Sequence, residues 1–349
     1  MRESLQLSGT LGKASLRWGA RCGMARVVIG TQVIMAKYGP LEGKLVVLIG
    51  GSGFVGTHVA EALLSRGARL RVADRHPEKA WNLRPLAQLG QLQFARCDVI
   101  DKRSVEAAMQ GADAAVYLVG SFTGDLKALQ ARGAGWAAEA AAVNGARSFV
   151  YVSALGADPD SDSRYAATKG EGEQLVRAAF PLATVVRPSV LFGEDDSFVN
   201  MFAGLVEKLP VLPVFGPQAK LQPLWVDDAA EAIAGALADL REHGGKTYEI
   251  AGPEAIGMLE LNERIARAQG RKRHFIAMPD ALSAVFAALP LTPMNSDQWK
   301  MLKGGNLPAG KLPGLKALGV TPKPLGLFLD KWMTRYRRHG RFGDKRGLA

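Results

Sequence analysis

Short apolar runs alternate with longer stretches of mixed polarity along the first half of the chain. KLVVLI (44–49), RLRVA (69–73), LQFARC (92–97), AAVYLV (114–119), SFVYVS (148–153) and ATVVRP (183–188) read as strands. Unbroken apolarity over so few residues suits strands buried on both faces, as in a parallel sheet. The intervening pattern predicts helices over 54–66, from 101 onward, over 125–144 and over 164–180. Strand and helix recurring every 20 to 30 residues, roughly, predict an α/β fold with a doubly wound parallel sheet.

Beyond about residue 190 the rhythm loosens. Prolines and glycines gather in LPVLPVFGPQAKLQP (209–223), followed by a helix in WVDDAAEAIAGALADL and a strand in KTYEIAG. Two later stretches carry apolar residues at helical spacing. One holds Leu282, Val285, Phe286 and Leu289; the other holds Leu325, Phe328, Leu329, Trp332, Met333 and Tyr336. The second stripe serves either to pack on the domain or to dock a partner or membrane. The resulting division is an extension over 1–40, disordered or targeting-like, and a Rossmann core over 41–190. A smaller α-rich substrate or docking region, interleaved with the core, covers 191–330, and a basic tail covers 331–349.

Charge sharpens this division. The net charge is +11, yet residues 41–330 carry 31 charges of each sign. The excess lies at the two ends, with six Lys/Arg against one acid in 1–40 and seven against one in 331–349. A neutral body argues against nucleic acid as a partner. Basic ends suit a membrane surface or a large acidic partner, and equally suit solubilising termini. The Arg- and Ser-rich stretch 1–40 is like a transit peptide in composition but lacks a helical apolar face. Met24 and Met35 are alternative starts.

Cys22 and Cys97 make no CxxC pair, and the five histidines show no HxxxH or HExxH spacing, so no metal site is expected. No apolar run reaches the roughly 18 residues of a membrane span.

The first strand passes into its helix through IGGSGFVG (49–56). This turn reads as G-x-x-G-x-x-G (Gly50, Gly53, Gly56) or as G-x-G-x-x-G (Gly51, Gly53, Gly56), and these glycines permit a tight turn, close approach of a pyrophosphate to backbone, and close packing of helix on strand. Amides at the helix start attract phosphate. Asp74 closes the second strand, where a carboxylate favours the ribose hydroxyls of NAD, and Arg75 beside it suits the 2′-phosphate of NADP. Asp98 follows the third strand, placed for the adenine or as a loop acid. The expected cofactor contacts are Gly50, Ser52, Gly53, Phe54, Val55, Gly56, Asp74, Arg75, Asp98, Val99, Gly120, Tyr165, Lys169 and Pro188.

Ser153 ends the fifth strand, and Tyr165 and Lys169 stand four apart on one helical face. A lysine ammonium beside a phenol is expected to lower the phenol pKa from about 10. Such a tyrosine can exchange a proton with a carbinol or carbonyl oxygen, with Ser153 hydrogen-bonding the same oxygen. The same three residues also serve to hold a nucleotide without turnover.

Together, Gly50-x-x-Gly53-x-x-Gly56 with Ser153, Tyr165 and Lys169 resembles the short-chain dehydrogenase/reductase superfamily. VVRPSVLFG (185–193) and WVDDAAEAI (225–233) resemble its extended and atypical branches, which include sugar epimerases, dehydratases and NmrA-like regulators. A narrower resemblance spans about 44–339. GGSGFVG, NLRPLAQLGQL, SRYAATKGEGEQLVRAAFP, VVRPSVLFGEDDSFVNMFA and LPGLKALGVTPKPL are similar, in that order, to the nucleotide-binding accessory subunit of respiratory complex I and its bacterial relatives. That resemblance implies a structural NADPH, with Gly50, Gly53 and Gly56 at the pyrophosphate, Arg75 at the 2′-phosphate, and Tyr165 and Lys169 at the nicotinamide ribose. It implies hydrophilic-arm subunits of complex I as partners, with peripheral membrane association through the basic C-terminal helix. The place implied is the cytoplasmic face of a bacterial inner membrane or the matrix side of a mitochondrial one. Asp74 departs from the family pattern and leaves NAD(H) open. The retained Ser153 leaves open an active oxidoreductase, epimerase or dehydratase, or a redox-sensing regulator.

Overall fold

The computed structural model describes residues 39–288 and 295–338. It also describes the backbone of Ser15–Arg17, Ala25–Ile29 and Gln32–Ala36, which pair as a small antiparallel sheet. Seven strands form the main sheet: β1 (Leu45–Ile49), β2 (Arg69–Asp74), β3 (Leu92–Arg96), β4 (Ala114–Tyr117), β5 (Ser148–Val152), β6 (Thr184–Pro188) and β7 (Thr247–Ile250). Their spatial order is 3-2-1-4-5-6-7 and every neighbouring pair is parallel. The order reverses between β1 and β4, and ligands of such sheets bind above that switch point.

Helices α1 (Phe54–Leu64), α2 (Lys102–Met109), α3 (Gly133–Val143) and α4 (Arg164–Ala179) belong to the first half. The second half adds α5 (Phe198–Lys208), α6 (Val226–Ala238), α7 (Leu240–His243), α8 (Met258–Ala268), α9 (Asp280–Ala288), α10 (Ser296–Gly304) and α11 (Gly326–Met333). Alternation along β1 decides the layers. Val46 and Leu48 face a core shared with α1 and α6, whereas Val47 and Ile49 face one shared with α2, α3 and α4. All four side chains are fully buried, which is why this strand reads as an unbroken apolar run. Before α3 the backbone widens into a π turn over Lys127–Arg132. The carbonyls of Leu129 and Gln130 there accept the buried hydroxyls of Tyr117 and Tyr151.

The second half is interleaved with the first. α6 returns to pack on α1, and β7 extends the sheet beyond β6. The remainder encloses a third core of Phe192, Val199, Leu212, Leu261, Ile265, Leu329, Trp332 and Met333, among others. α5 and α8 in this lobe were not anticipated, although Met258, Leu261, Ile265 and Ala268 are buried at helical spacing. A strap from Asn306 to Lys323 ties this lobe down. Asn306 accepts the Val190 amide at 2.6 Å, Pro313 accepts the Glu249 amide at 3.0 Å, and the Lys323 ammonium donates to Asp228 at 2.8 Å.

The C-terminal stripe packs inward. Leu325, Leu329, Trp332 and Met333 are buried, and Phe328 stacks on Trp225 with centroids 3.8 Å apart. The apolar face expected to dock a membrane or partner is thus used within the molecule. The rest of the basic tail, 339–349, lies outside the described residues, as does Leu289 of the other stripe. Within that stripe Phe286 stacks on Phe215 at 4.5 Å, while Leu282 is left 54% exposed.

Candidate functional site

The site forms where β1 enters α1. Gly50 has φ of +81°, a conformation that disfavours any side chain, and a Cβ there would meet Val119 at 3.0 Å. A Cβ on Gly56 would stand 2.6 Å from the Gly51 backbone, so α1 packs against the turn only because Gly56 has none. Gly53 is the N-cap, exposed, and offers no side-chain hydrogen bond to the helix. No acid lies in the first turn. The amides that begin α1 lack intrahelical partners, as at any helix start. Here nothing from the N-cap covers them. Bare amides at a helix start attract phosphate. Ser52, Phe54 and Val55 line this cradle half-buried.

The other candidate residues stand at the C-terminal ends of β2, β3, β4 and β6. Asp74, half-buried, accepts the His76 amide at 3.1 Å, which turns one carboxylate oxygen into its own loop. Arg75 is exposed, with no ion pair or hydrogen bond among the described residues. Arg71 is committed elsewhere, donating to the carbonyls of Ala108 and Gln110 at 2.8 and 2.7 Å. Arg84 lies over the rings of Trp81 and Phe94. Asp98 accepts the Ile100 amide at 3.2 Å as a loop acid, and Val99 beside it is buried. Gly120 follows β4 and is exposed; Pro188 ends β6 and is buried.

Tyr165 and Lys169 do converge. A Cβ built on Gly120 would lie 3.6 Å from the Tyr165 hydroxyl and 3.7 Å from Lys169 Nζ, so both polar atoms flank the same glycine. The Lys169 ammonium donates to the carbonyls of Val119 and Val152 at 3.0 and 2.8 Å. Burial pushes Lys169 down to about 7, against the pull of Glu173. Burial also pushes the Tyr165 phenol up to about 12. The expected lowering of the phenol is therefore not found: desolvation disfavours both charged forms and outweighs the attraction between them.

Ser153 is the second departure from expectation. Its hydroxyl donates to Glu173 at 2.6 Å instead of sharing an oxygen target with Tyr165. Glu173 is held in turn by a forked pair from Arg187, at 2.8 and 2.7 Å. Arg187 stands 3.9 Å from Glu249, which accepts the Ala309 amide at 2.8 Å. A hydroxyl has one proton to donate, and a carboxylate only accepts. Ser153 can thus offer a carbonyl oxygen nothing while this arrangement holds. The residues that follow it, Ala154 and Leu155, bring no side-chain donor and are buried.

Sequence reading missed three further contributors. Phe122 stacks on Tyr165, centroids 4.3 Å apart and 16° between planes. Asp297, on α10, accepts the amides of Arg164 and Tyr165 at 2.7 and 2.9 Å, capping the helix that carries the tyrosine. Glu173 is the third; its spacing of four from Lys169 was legible, but its partners are Ser153 after β5 and Arg187 on β6.

Comparison with known proteins bears on the fold and the family. Residues 50–203 match a family model described as NAD(P)H-binding. The mitochondrial NADH dehydrogenase [ubiquinone] 1 alpha subcomplex subunit 9 of Mus musculus is 30% identical over 312 residues, covering 86% of this chain and 82% of that protein. A ceramide reductase of Caulobacter vibrioides is 30% identical over 250 residues, covering 68% and 74%. Among solved structures, an NADPH-dependent quinone oxidoreductase of Escherichia coli superposes with a TM-score of 0.64 at 20% identity, covering 83% of this chain and 98% of that one. At that identity it shows the fold alone. The chain belongs to the NAD(P)H-binding family that contains subunit 9 of the NADH dehydrogenase [ubiquinone] 1 alpha subcomplex.

Proposed function

We propose that the chain is an NADP(H)-holding accessory subunit of a respiratory NADH:ubiquinone oxidoreductase, with the nucleotide structural. In a bacterium it would sit on the hydrophilic arm at the cytoplasmic face of the inner membrane; in a mitochondrion, on the matrix side. No helix among the described residues is long and apolar enough to cross a membrane, so association would be peripheral. The observation that carries the structural role is Ser153, whose hydroxyl proton is spent on Glu173. Gly50, Gly53 and Gly56 would hold the pyrophosphate, and Tyr165 and Lys169 the nicotinamide ribose. A bound nicotinamide supplies a hydride donor or acceptor; this chain's own residues orient it. Exposed Arg75 favours a 2′-phosphate. So does Arg96, exposed and in register beside Asp74.

Two observations favour a reductase instead: Tyr165 and Lys169 meet at Gly120, and a relative of 30% identity is a ceramide reductase. The two readings part on purification. Protein isolated without added cofactor should release NADPH on denaturation, identified by mass spectrometry, and should co-purify with subunits of the oxidoreductase. Release of no dinucleotide would overturn the holding role. Rapid NADPH consumption on addition of a ceramide-type ketone would transfer the assignment to the reductase reading.

A further inference from the structure

Away from the dinucleotide site, one apolar stretch of the second lobe is left uncovered. Strand Val211–Val214 pairs in parallel with His274–Ala277, setting Val211 beside His274 and Pro213 beside Ile276. Alternation turns Leu212 and Val214 into the third core and leaves Val211 43% exposed. Leu209 before it is 40% exposed, Ile276 55% and Leu282 on α9 54%. Ala277, Pro279, Ala281 and Ala284 are exposed along the same run. Among 276–284 the single charged residue is Asp280.

Cations frame this surface. Lys208 precedes Leu209, Lys272 precedes His274, and Lys303 reaches the groove that Met278 and Pro279 line. All three are exposed and unpaired among the described residues. Arg273 is fixed against the end of α5, donating to the carbonyl of Val206 at 2.7 Å. Monomeric proteins rarely expose a contiguous apolar patch without a use for it. Apolar side chains inside a cationic rim match the boundary between acyl chains and anionic headgroups.

We propose that the face formed by Leu209, Val211, Ile276 and Leu282, rimmed by Lys208 and Lys272, docks on an anionic membrane surface. The C-terminal helix cannot supply that contact, since its apolar side is spent on the third core. The docking does not rest on the nucleotide assignment, and the two fail separately.

The test is co-sedimentation of the full chain with vesicles of phosphatidylcholine, with or without about 30% phosphatidylglycerol. Wild-type protein should pellet with the anionic vesicles alone, and about 0.5 M salt should release most of it. Ile276→Asp with Leu282→Asp should lower the bound fraction roughly tenfold while leaving nucleotide content unchanged. Lys208→Glu with Lys272→Glu should lower binding to anionic vesicles by a similar factor, which keeps the test open should the first pair fold poorly. Wild-type binding by either double variant would overturn the proposal. So would wild-type protein that stays in the supernatant with anionic vesicles; a protein partner would then be what covers this face.

Discussion

The glycine corner follows β1 and the Ser153–Tyr165–Lys169 corner follows β5, with β4 between them, and the two are made by opposite means. The first works by leaving side chains out. Gly50, Gly53 and Gly56 leave bare backbone at the turn, and all its parts lie within eight residues, 49–56. The second works by burying polar side chains and satisfying each from a distance. Ser153 needs Glu173, Glu173 needs Arg187, and the start of the tyrosine helix needs Asp297. A backbone-made site is indifferent to remote substitutions that keep the fold. A side-chain-made site depends on every partner, and its chemistry is set by which atoms those partners leave free.

The sharpest way to break that contrast is to remove Arg187. Arg187→Ala should strand the buried Glu173 carboxylate and cost about 3–5 kcal/mol, because a buried charge loses its counter-ion. Urea unfolding of purified protein would measure it. A loss under about 1 kcal/mol would mean that Arg187 is not the counter-ion that holds Glu173 and that Ser153 is not held as described.

Next in size is the glycine corner itself. A Cβ at Gly53 would meet nothing closer than the Gly50 carbonyl at 3.4 Å, and its φ is −78°. Gly53→Val should therefore fold, yet fill the space that a phosphate needs. Dinucleotide affinity should fall about a hundredfold, or roughly 2.7 kcal/mol, with the melting temperature of nucleotide-free protein little changed. Nucleotide retained through purification of this variant would refute the cradle.

A pH series tests the buried lysine. Lys169 has a folded pKa of about 7 against an ordinary 10.5. Between those values the unfolded chain binds more protons than the folded one, so stability rises with pH from about 7 upward. Below about 7 the burial cost is carried in full. In nucleotide-free protein Lys169→Met should flatten the rise in melting temperature between about pH 7 and pH 9. An identical slope in the variant would show that the ammonium is not desolvated.

The smallest effect expected is that of Ser153→Ala. It should cost about 1 kcal/mol, the net worth of one hydrogen bond, because Arg187 still neutralises Glu173. Nucleotide content should not change. A loss of turnover on a carbonyl substrate by a hundredfold or more would instead place Ser153 at the reacting oxygen and reverse the reading of this corner.

Much of the first lobe could be read in the sequence because its signals are local. Each sheet strand is a short apolar run, each βα unit closes within some tens of residues, and the glycine turn needs no partner from elsewhere. The second lobe was legible only in part. Strands of two residues, such as Leu191–Phe192 and Leu224–Trp225, carry too few positions for a period to show. Their pairing is decided by the aromatic core that closes over them. The stripe at 325–336 was visible, but amphipathicity cannot name the surface that will cover it.

By itself, the sequence determined the parallel sheet, the open turn before the first helix, and which residues carry polar chemistry near it. Only the tertiary structure decided which way that chemistry faces. Hydrogen-bond direction and desolvation are set by groups brought together across the fold. Here they turned the Ser153 proton toward Glu173, held Tyr165 neutral, and moved the exposed apolar surface from the end of the chain to the 209–213 and 276–284 segments. No periodicity encodes such choices, because the partners that make them sit on different elements: Ser153 and Glu173 are 20 residues apart and Tyr165 and Asp297 are 132.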